Sequence, residues 1–307
     1  MSRAVRTAYL GTSDFAAAIL RRLADSPHRP QLVVTRPDRP KGRGRRLQSP
    51  PVADAARELG IELDQPDSVN GDEARARISA ARPDAVIVCA FGALIKEPLL
   101  SEHEIVNVHP SLLPRWRGAA PLERAIMAGD DETGVAIMRL TAGLDSGPVS
   151  LLERAPILPR DTFGTLAQRL ERVGGELLVR ALTERPEYVE QTEDGLTYAE
   201  KIGPEDRTLD PLRDDAAQLD RTIRALSPHV GTRVALPGSE PVAYLGVGMG
   251  EPVDGEQIAA GLFAAHDGRL LLGAANRSVL ELTEVQPPGR RPMSAADYLR
   301  GYGLPTS

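Results

Sequence analysis

Ala85–Cys89, the run AVIVC, is apolar at every position, and it constrains the fold more than any other stretch of the chain. A strand with one face in water alternates apolar and polar residues. A continuous apolar run belongs to a strand covered on both faces, which is the central position of a parallel sheet flanked by helices.

The neighbouring sequence fits that frame. Ala4–Leu10 reads as a strand ended by Gly11, and Thr12, Ser13 and Asp14 offer N-cap side chains for a helix through Ala24. Gln31–Thr35 gives a second strand. Val52–Leu59 is a helix with Pro51 near its start and Gly60 after its end, Ile61–Leu63 a short strand and Asp72–Ala81 a helix. Gly134–Leu140 and Val149–Ile157 extend, and Asp161 is placed to cap a helix to about Leu182. Strands alternating with helices imply an α/β, Rossmann-like, doubly wound and mostly parallel sheet. The dinucleotide fingerprint G-x-G-x-x-G is absent, since only Gly11 is present, which argues against an NAD(P) site.

After Pro186 the character changes. The polar segment to Arg207 reads as a linker, Asp220–Leu226 as a helix ended by Pro228. Short strands at Arg233–Leu236, Val242–Gly246, Gly261–Ala265, Leu270–Leu272 and Leu280–Val285 follow, punctuated by Pro-Gly and Asp-Gly turns. That is the pattern of a small antiparallel barrel.

Composition narrows the function. With 41% hydrophobic and 26% charged residues the chain is an ordinary soluble globular protein, and a net charge of −6 excludes a globally basic nucleic-acid binder. A local patch remains: Arg36–Pro50 holds six basic residues (Arg36, Arg39, Lys41, Arg43, Arg45, Arg46) and one acid, Asp38. Its prolines and glycines point to a mobile loop without regular structure. Most charge runs are merely solvated, but this arginine density in an acidic protein favours contact with a polyanion. The single cysteine, Cys89, reads as a small buried hydrophobe rather than a nucleophile. No Cys/His cluster has zinc spacing, so no metal is expected. No run approaches membrane-spanning length and no signal segment is evident, so a cytoplasmic location is expected.

The chemistry concentrates in Ile105–Pro121, IVNVHPSLLPRWRGAAP. Along a strand, Val106 and Val108 share one face while Asn107 and His109 leave together from the other. Pro110 has no N–H for a ladder and stops the strand. Arg115, Trp116 and Arg117 follow, then a helix over Leu122–Ala128. Asp145, in TAGLDSG, comes after the strand Gly134–Leu140 and lies near Asn107 and His109 if the two strands are neighbours. Each residue has a plainer role: a histidine after a strand is commonly a bonded surface or core residue, and asparagine and aspartate commonly form turns.

The run Asn107 to Pro114 with Arg117-Gly118 resembles the signature of folate-dependent formyltransferases. LGTSDFA, TRPDRPKGRGRRL, GLDSG and TYAEKI resemble further family segments, so the likeness runs nearly end to end. Two positions depart from the pattern: Pro110 stands where glycine is usual, Pro148 where an acidic residue is. The resemblance implies a catalytic domain over residues 1–188, a linker over 189–207 and an OB-like tRNA-binding domain over 208–307. It implies a catalytic trio of Asn107, His109 and Asp145, with folate lined by Ser111, Leu112, Leu113 and Pro114. It implies tRNA contacts at Arg39, Lys41, Arg43, Arg45 and Arg46. The implied reaction moves formyl from 10-formyltetrahydrofolate to the amine of methionyl-initiator-tRNA, by a monomer, with no metal and no membrane. A sugar-nucleotide amine is the alternative acceptor, although enzymes of that kind generally lack the arginine-rich loop. Glycinamide ribonucleotide formyltransferases are shorter, and a non-catalytic tRNA-binding module would not need the trio.

Overall fold

The computed structural model describes residues 4–41, 46–238 and 242–305. Contacts divide it into two compact units, neither continuous in sequence: residues 1–121, 132–156 and 167–199 form one, and 122–131, 157–166 and 200–307 the other.

The first unit opens with β1 (Thr7–Gly11), α1 (Asp14–Ala24) and β2 (Pro30–Val34). Ser13 caps α1, its hydroxyl accepting from the Ala16 N–H at 3.2 Å. A hairpin of β3 (Arg39–Lys41) and β4 (Arg46–Gln48) follows, then α2 (Pro51–Leu59), β5 (Glu62–Asp64), α3 (Asp72–Ala80) and β6 (Ala85–Cys89). A short α4 (Leu99–Glu102), β7 (Ile105–His109), β8 (Arg117–Gly118), α5 (Pro121–Ala128), β9 (Glu132–Arg139), β10 (Val149–Pro156), α6 (Phe163–Glu184) and β11 (Tyr198–Ala199) complete the run, with α5 after Pro121 and residues 163–166 of α6 falling in the other unit.

The seven-stranded sheet has the order β10-β9-β7-β6-β1-β2-β5. The ladder from β7 to β5 is parallel; β9 runs antiparallel to β7, and β10 antiparallel to β9. Every residue of β1, β6 and β7 is buried, as expected for strands covered on both faces. Burying a side chain such as Ile87 contributes about 1.5–3 kcal/mol. The sheet is wound outward in both directions from the β1/β6 pair, the kind of point where open α/β sheets place ligands beyond the strands' carboxyl ends.

Two expectations are corrected. Arg36–Pro50 is not without regular structure: Arg39, Pro40 and Lys41 pair antiparallel with Gln48, Leu47 and Arg46. Both strands of a two-stranded ribbon are edges, and an edge tolerates proline. Asp161 does not cap α6, which starts at Phe163. Thr162 and Thr165 exchange side-chain-to-backbone bonds at 3.0 and 3.2 Å, while the Asp161 carboxylate accepts from the Leu158 N–H at 2.7 Å.

Cys89 is fully buried, and burial pushes its thiol up to about 12 from an ordinary 9.0. The folded chain thus keeps the proton that the unfolded chain gives up. The thiol's contribution to stability is complete below pH 9 and lost as pH rises towards about 12. At neutral pH the native protein should leave a thiol-specific chromogenic disulfide unreacted, and denaturant should release one equivalent. Stoichiometric labelling of the native protein on mixing would show the thiol to be reachable.

The second unit contains β12 (Thr208–Leu209), α7 (Ala216–Leu226), β13 (Thr232–Ala235), β14 (Tyr244–Val253), β15 (Phe263–His266), β16 (Arg269–Gly273), β17 (Val279–Gln286), β18 (Met293–Ser294) and α8 (Ala295–Tyr302). Its sheet runs β12-β13-β14-β17-β16-β15, with β18 on β17, around a core that includes Leu219, Ile223, Leu245, Leu270 and Leu282. Residues 122–131 and 157–166 are held in this unit by polar bonds. Arg124 forks onto the Asp206 carboxylate at 2.8 and 3.0 Å. Arg224, paired with Asp220 on α7, donates to the Asp161 carbonyl at 2.9 Å.

Candidate active site

The site grows from the end of β7. Val108 faces α6, where Gly174 packs against it. Asn107 and His109 point to the opposite face, opposite Met138 and Ala136 of β9. Leu113 closes over those two residues in a small apolar cluster. Asn107 is 7% exposed and His109 4%. Among the described residues nothing hydrogen-bonds the Asn107 amide, so a buried donor faces the site unengaged.

His109 Nε2 lies 2.9 Å from the Trp116 carbonyl, and a carbonyl can only accept, so Nε2 carries a proton. Its Nδ1 faces Asp145 Oδ2 at 3.7 Å. Both ring nitrogens therefore look at oxygen acceptors.

Asp145 reaches this place by an unexpected route. The β9 strand is antiparallel to β7 and ends at Arg139, opposite Val106 rather than His109. The loop after β9 must double back to bring Asp145 to the imidazole. It does so with Asp145 in the left-handed region at φ 44° and with Asp145 Oδ2 accepting from the Gly118 N–H at 2.9 Å. Gly118, at φ 125°, is pressed against the Ala199 carbonyl, which a Cβ would approach to 2.6 Å. Asp145 lies beside His109, but β9's carboxyl end is not the cause.

Of the residues expected around folate, Leu113 stands in the site's apolar cluster. The Ser111 hydroxyl is spent on the Arg115 carbonyl at 2.7 Å and Ser111 is fully buried. Leu112 packs beside Gly134 of β9. Pro114 follows in the same turn, half-buried. Of the residues expected at tRNA, Arg39, Lys41 and Arg46 lie on the β3–β4 hairpin. Arg39 is exposed, and Lys41 and Arg46 face each other in its ladder. Arg43 and Arg45 lie outside the described residues. The hairpin's base is fixed by Gln65, whose amide donates to the Arg36 carbonyl at 3.0 Å and to Asp38 at 2.8 Å. That bond holds the Asp38 carboxyl below its usual range.

One group was missed. Gln191, in the stretch read as linker, bonds both Arg117 and the Asp145 loop. A glutamine in a polar run carries no local signal of such a role, because its partners lie 74 and 46 residues away.

Residues 5–182 match the model of a family described as formyl transferase, and residues 201–303 match the formyl transferase C-terminal domain. The chain belongs to the formyltransferase family. It is 41% identical over 304 residues to the methionyl-tRNA formyltransferase of Gluconobacter oxydans, covering 98% of each chain. It is 42% identical over 311 residues to that of Halorhodospira halophila, covering 98% and 97%. The fold is shared with HypX from Aquifex aeolicus, solved with tetrahydrofolic acid: TM-score 0.66 at 16% identity, over 100% of this chain and 49% of that one. It is shared too with the N-formyltransferase of Helicobacter canadensis, solved with folinic acid and dTDP-3-aminofucose: TM-score 0.65 at 14% identity, covering 91% and 98%. This formyltransferase has no helix, among the described residues, long and apolar enough to cross a membrane.

Proposed function

We propose that this formyltransferase moves the formyl group of 10-formyltetrahydrofolate onto the α-amine of methionyl-initiator-tRNA, with Asn107, His109 and Asp145 as the reacting site. The observation that carries the acceptor is the nearly full-length identity of about 40% to proteins named methionyl-tRNA formyltransferase. A sugar 3N-formyl transferase of the same fold is only 14% identical.

The neutral amine attacks the formyl carbon and the carbonyl electrons move onto oxygen. The unengaged Asn107 amide donates to that oxyanion, joined by His109 Nε2–H as it leaves the Trp116 carbonyl, and such donors commonly supply the largest single catalytic term. Asp145 holds the imidazole from its Nδ1 side. As the tetrahedral centre collapses, the bond to the folate nitrogen breaks. The proton lost by the amine passes to that nitrogen, with Asp145 and His109 as the groups placed to carry it. The apolar cluster around Leu113, beside the amide of Asn107, suits a flat ring edged with polar groups. The basic stretch of the sequence from Arg39 to Arg46 supplies Arg39, Lys41, Arg43, Arg45 and Arg46 to phosphates and unpaired bases at the tRNA 3′ end. Residues 208–307 form the second tRNA-binding surface.

Formyl transfer should be strong with methionyl initiator tRNA, weaker with elongator methionyl-tRNA, and absent with amino sugar nucleotides offered in competition. Replacing Arg43, Arg45 and Arg46 by alanine should flatten the dependence of tRNA affinity on salt, because fewer counterions are released, while leaving folate-analogue binding unchanged. Salt curves that coincide for wild type and triple variant would remove the hairpin from the acceptor site. Preferred transfer to the sugar nucleotide would replace the acceptor.

A further inference from the structure

Gln191 uses all four bonding positions of its amide. Its Nε2 donates to the Asp145 carbonyl at 2.8 Å and to the Gly147 carbonyl at 2.7 Å. Its Oε1 accepts from Arg117 Nε at 3.0 Å and Arg117 Nη2 at 2.8 Å. Arg117 is itself only 7% exposed, and among the described residues no carboxylate pairs with it. The guanidinium is thus held by Gln191, and it sits on the residue before Gly118, whose N–H holds the Asp145 carboxylate. The contacts close a ring: Arg117 to Gln191, Gln191 to the Asp145 backbone, Asp145 to Gly118.

The ring answers a physical need. The loop carrying Asp145 leaves β9 at the wrong end and must turn back through a left-handed residue. The left-handed region costs a non-glycine residue about 1–2 kcal/mol, so something must hold it. Without Gln191 the carbonyls of Asp145 and Gly147 lose the donors that fix the loop's two sides.

We infer that Gln191, oriented by the buried Arg117, is a positioning residue that sets the Asp145 carboxylate against His109. The inference rests on the proposed role of Asp145, and it makes the stretch 189–199 part of the active site.

Gln191→Ala and Gln191→Glu both test it. The second keeps the size and gives Arg117 a carboxylate partner, so folding is protected while both donated bonds are lost. Each variant should lower kcat by about a hundredfold, the cost of a misplacement of about 1 Å, with KM for folate and tRNA nearly unchanged. In an Asp145→Ala background the Gln191 substitutions should cost almost nothing more, because the two residues act as one unit. The sole tryptophan, Trp116, whose carbonyl bonds His109, reports folding and local geometry by its emission. Near-normal kcat in Gln191→Glu, or equal losses with and without Asp145, would overturn the positioning role and leave the trio standing. Full activity in Asp145→Ala would instead overturn the trio.

Discussion

His109→Ala is expected to lower kcat by about a hundredfold or more, with little change in the thermal midpoint. The scale is that of losing one oxyanion donor. Folding should tolerate the change because His109 ends its strand, and its polar contacts are a loop carbonyl and a carboxylate, not the core. Asn107→Ala should match it in size, since the Asn107 amide has no structural bond to lose among the described residues and its value lies in the reaction. Asp145→Ala should cost as much by a different route, freeing the imidazole and the Gly118 N–H together. Groups that act as a unit are non-additive, so the double variant of His109 and Asp145 should lose little beyond the worse single one. Single-turnover transfer of labelled formyl to methionyl-tRNA measures all four, beside thermal melts. Turnover close to wild type in His109→Ala would remove the proposed mechanism.

Short-range pattern carried much of this fold. The all-apolar run of β6 placed a central strand, and alternation in β7 put Asn107 and His109 on one face; both follow from the period of a strand. The β3–β4 ribbon escaped because proline and glycine were weighed as breakers, a rule that fails on edges. The helix over Leu122–Ala128 is legible in the sequence, yet pattern alone does not say which core it serves. Residues 122–131 fall with the second unit, where Arg124 meets Asp206 82 residues away. The same limit hid Gln191. Its bonds join β8 and the loop after β9 to the stretch before β11, and no local regularity announces such a meeting. Asp145 was placed near His109 from the assumption of neighbouring strands. The neighbours are real, but the reversed direction of β9 makes the approach depend on a returning loop.

That loop makes Gly147 the most sensitive position near the site. A Cβ on Gly147 would lie 1.9 Å from the Arg139 carbonyl oxygen and 3.0 Å from Thr141 Cγ2. The first obstacle is backbone at the end of β9, and the Arg139 N–H also donates to the Pro148 carbonyl at 2.9 Å, so neither strand nor loop can step aside cheaply. Relief must come from lifting the loop by an ångström or more. Overpacking of this kind costs about 1–3 kcal/mol of stability. The same lift draws the Gly147 carbonyl away from Gln191 and carries Asp145 from His109, a misplacement worth about a hundredfold in rate. Gly147→Ala should therefore lower both the thermal midpoint and kcat. Gly195→Ala, at φ 75° with open space around its Cβ, serves as the comparison: it bears a backbone penalty, but nothing near Asp145 must move. The decisive measurement is kcat at a temperature where both variants are fully folded. A Gly147→Ala protein that is destabilised yet turns over at the wild-type rate would show that the loop's position at Asp145 does not govern the chemistry.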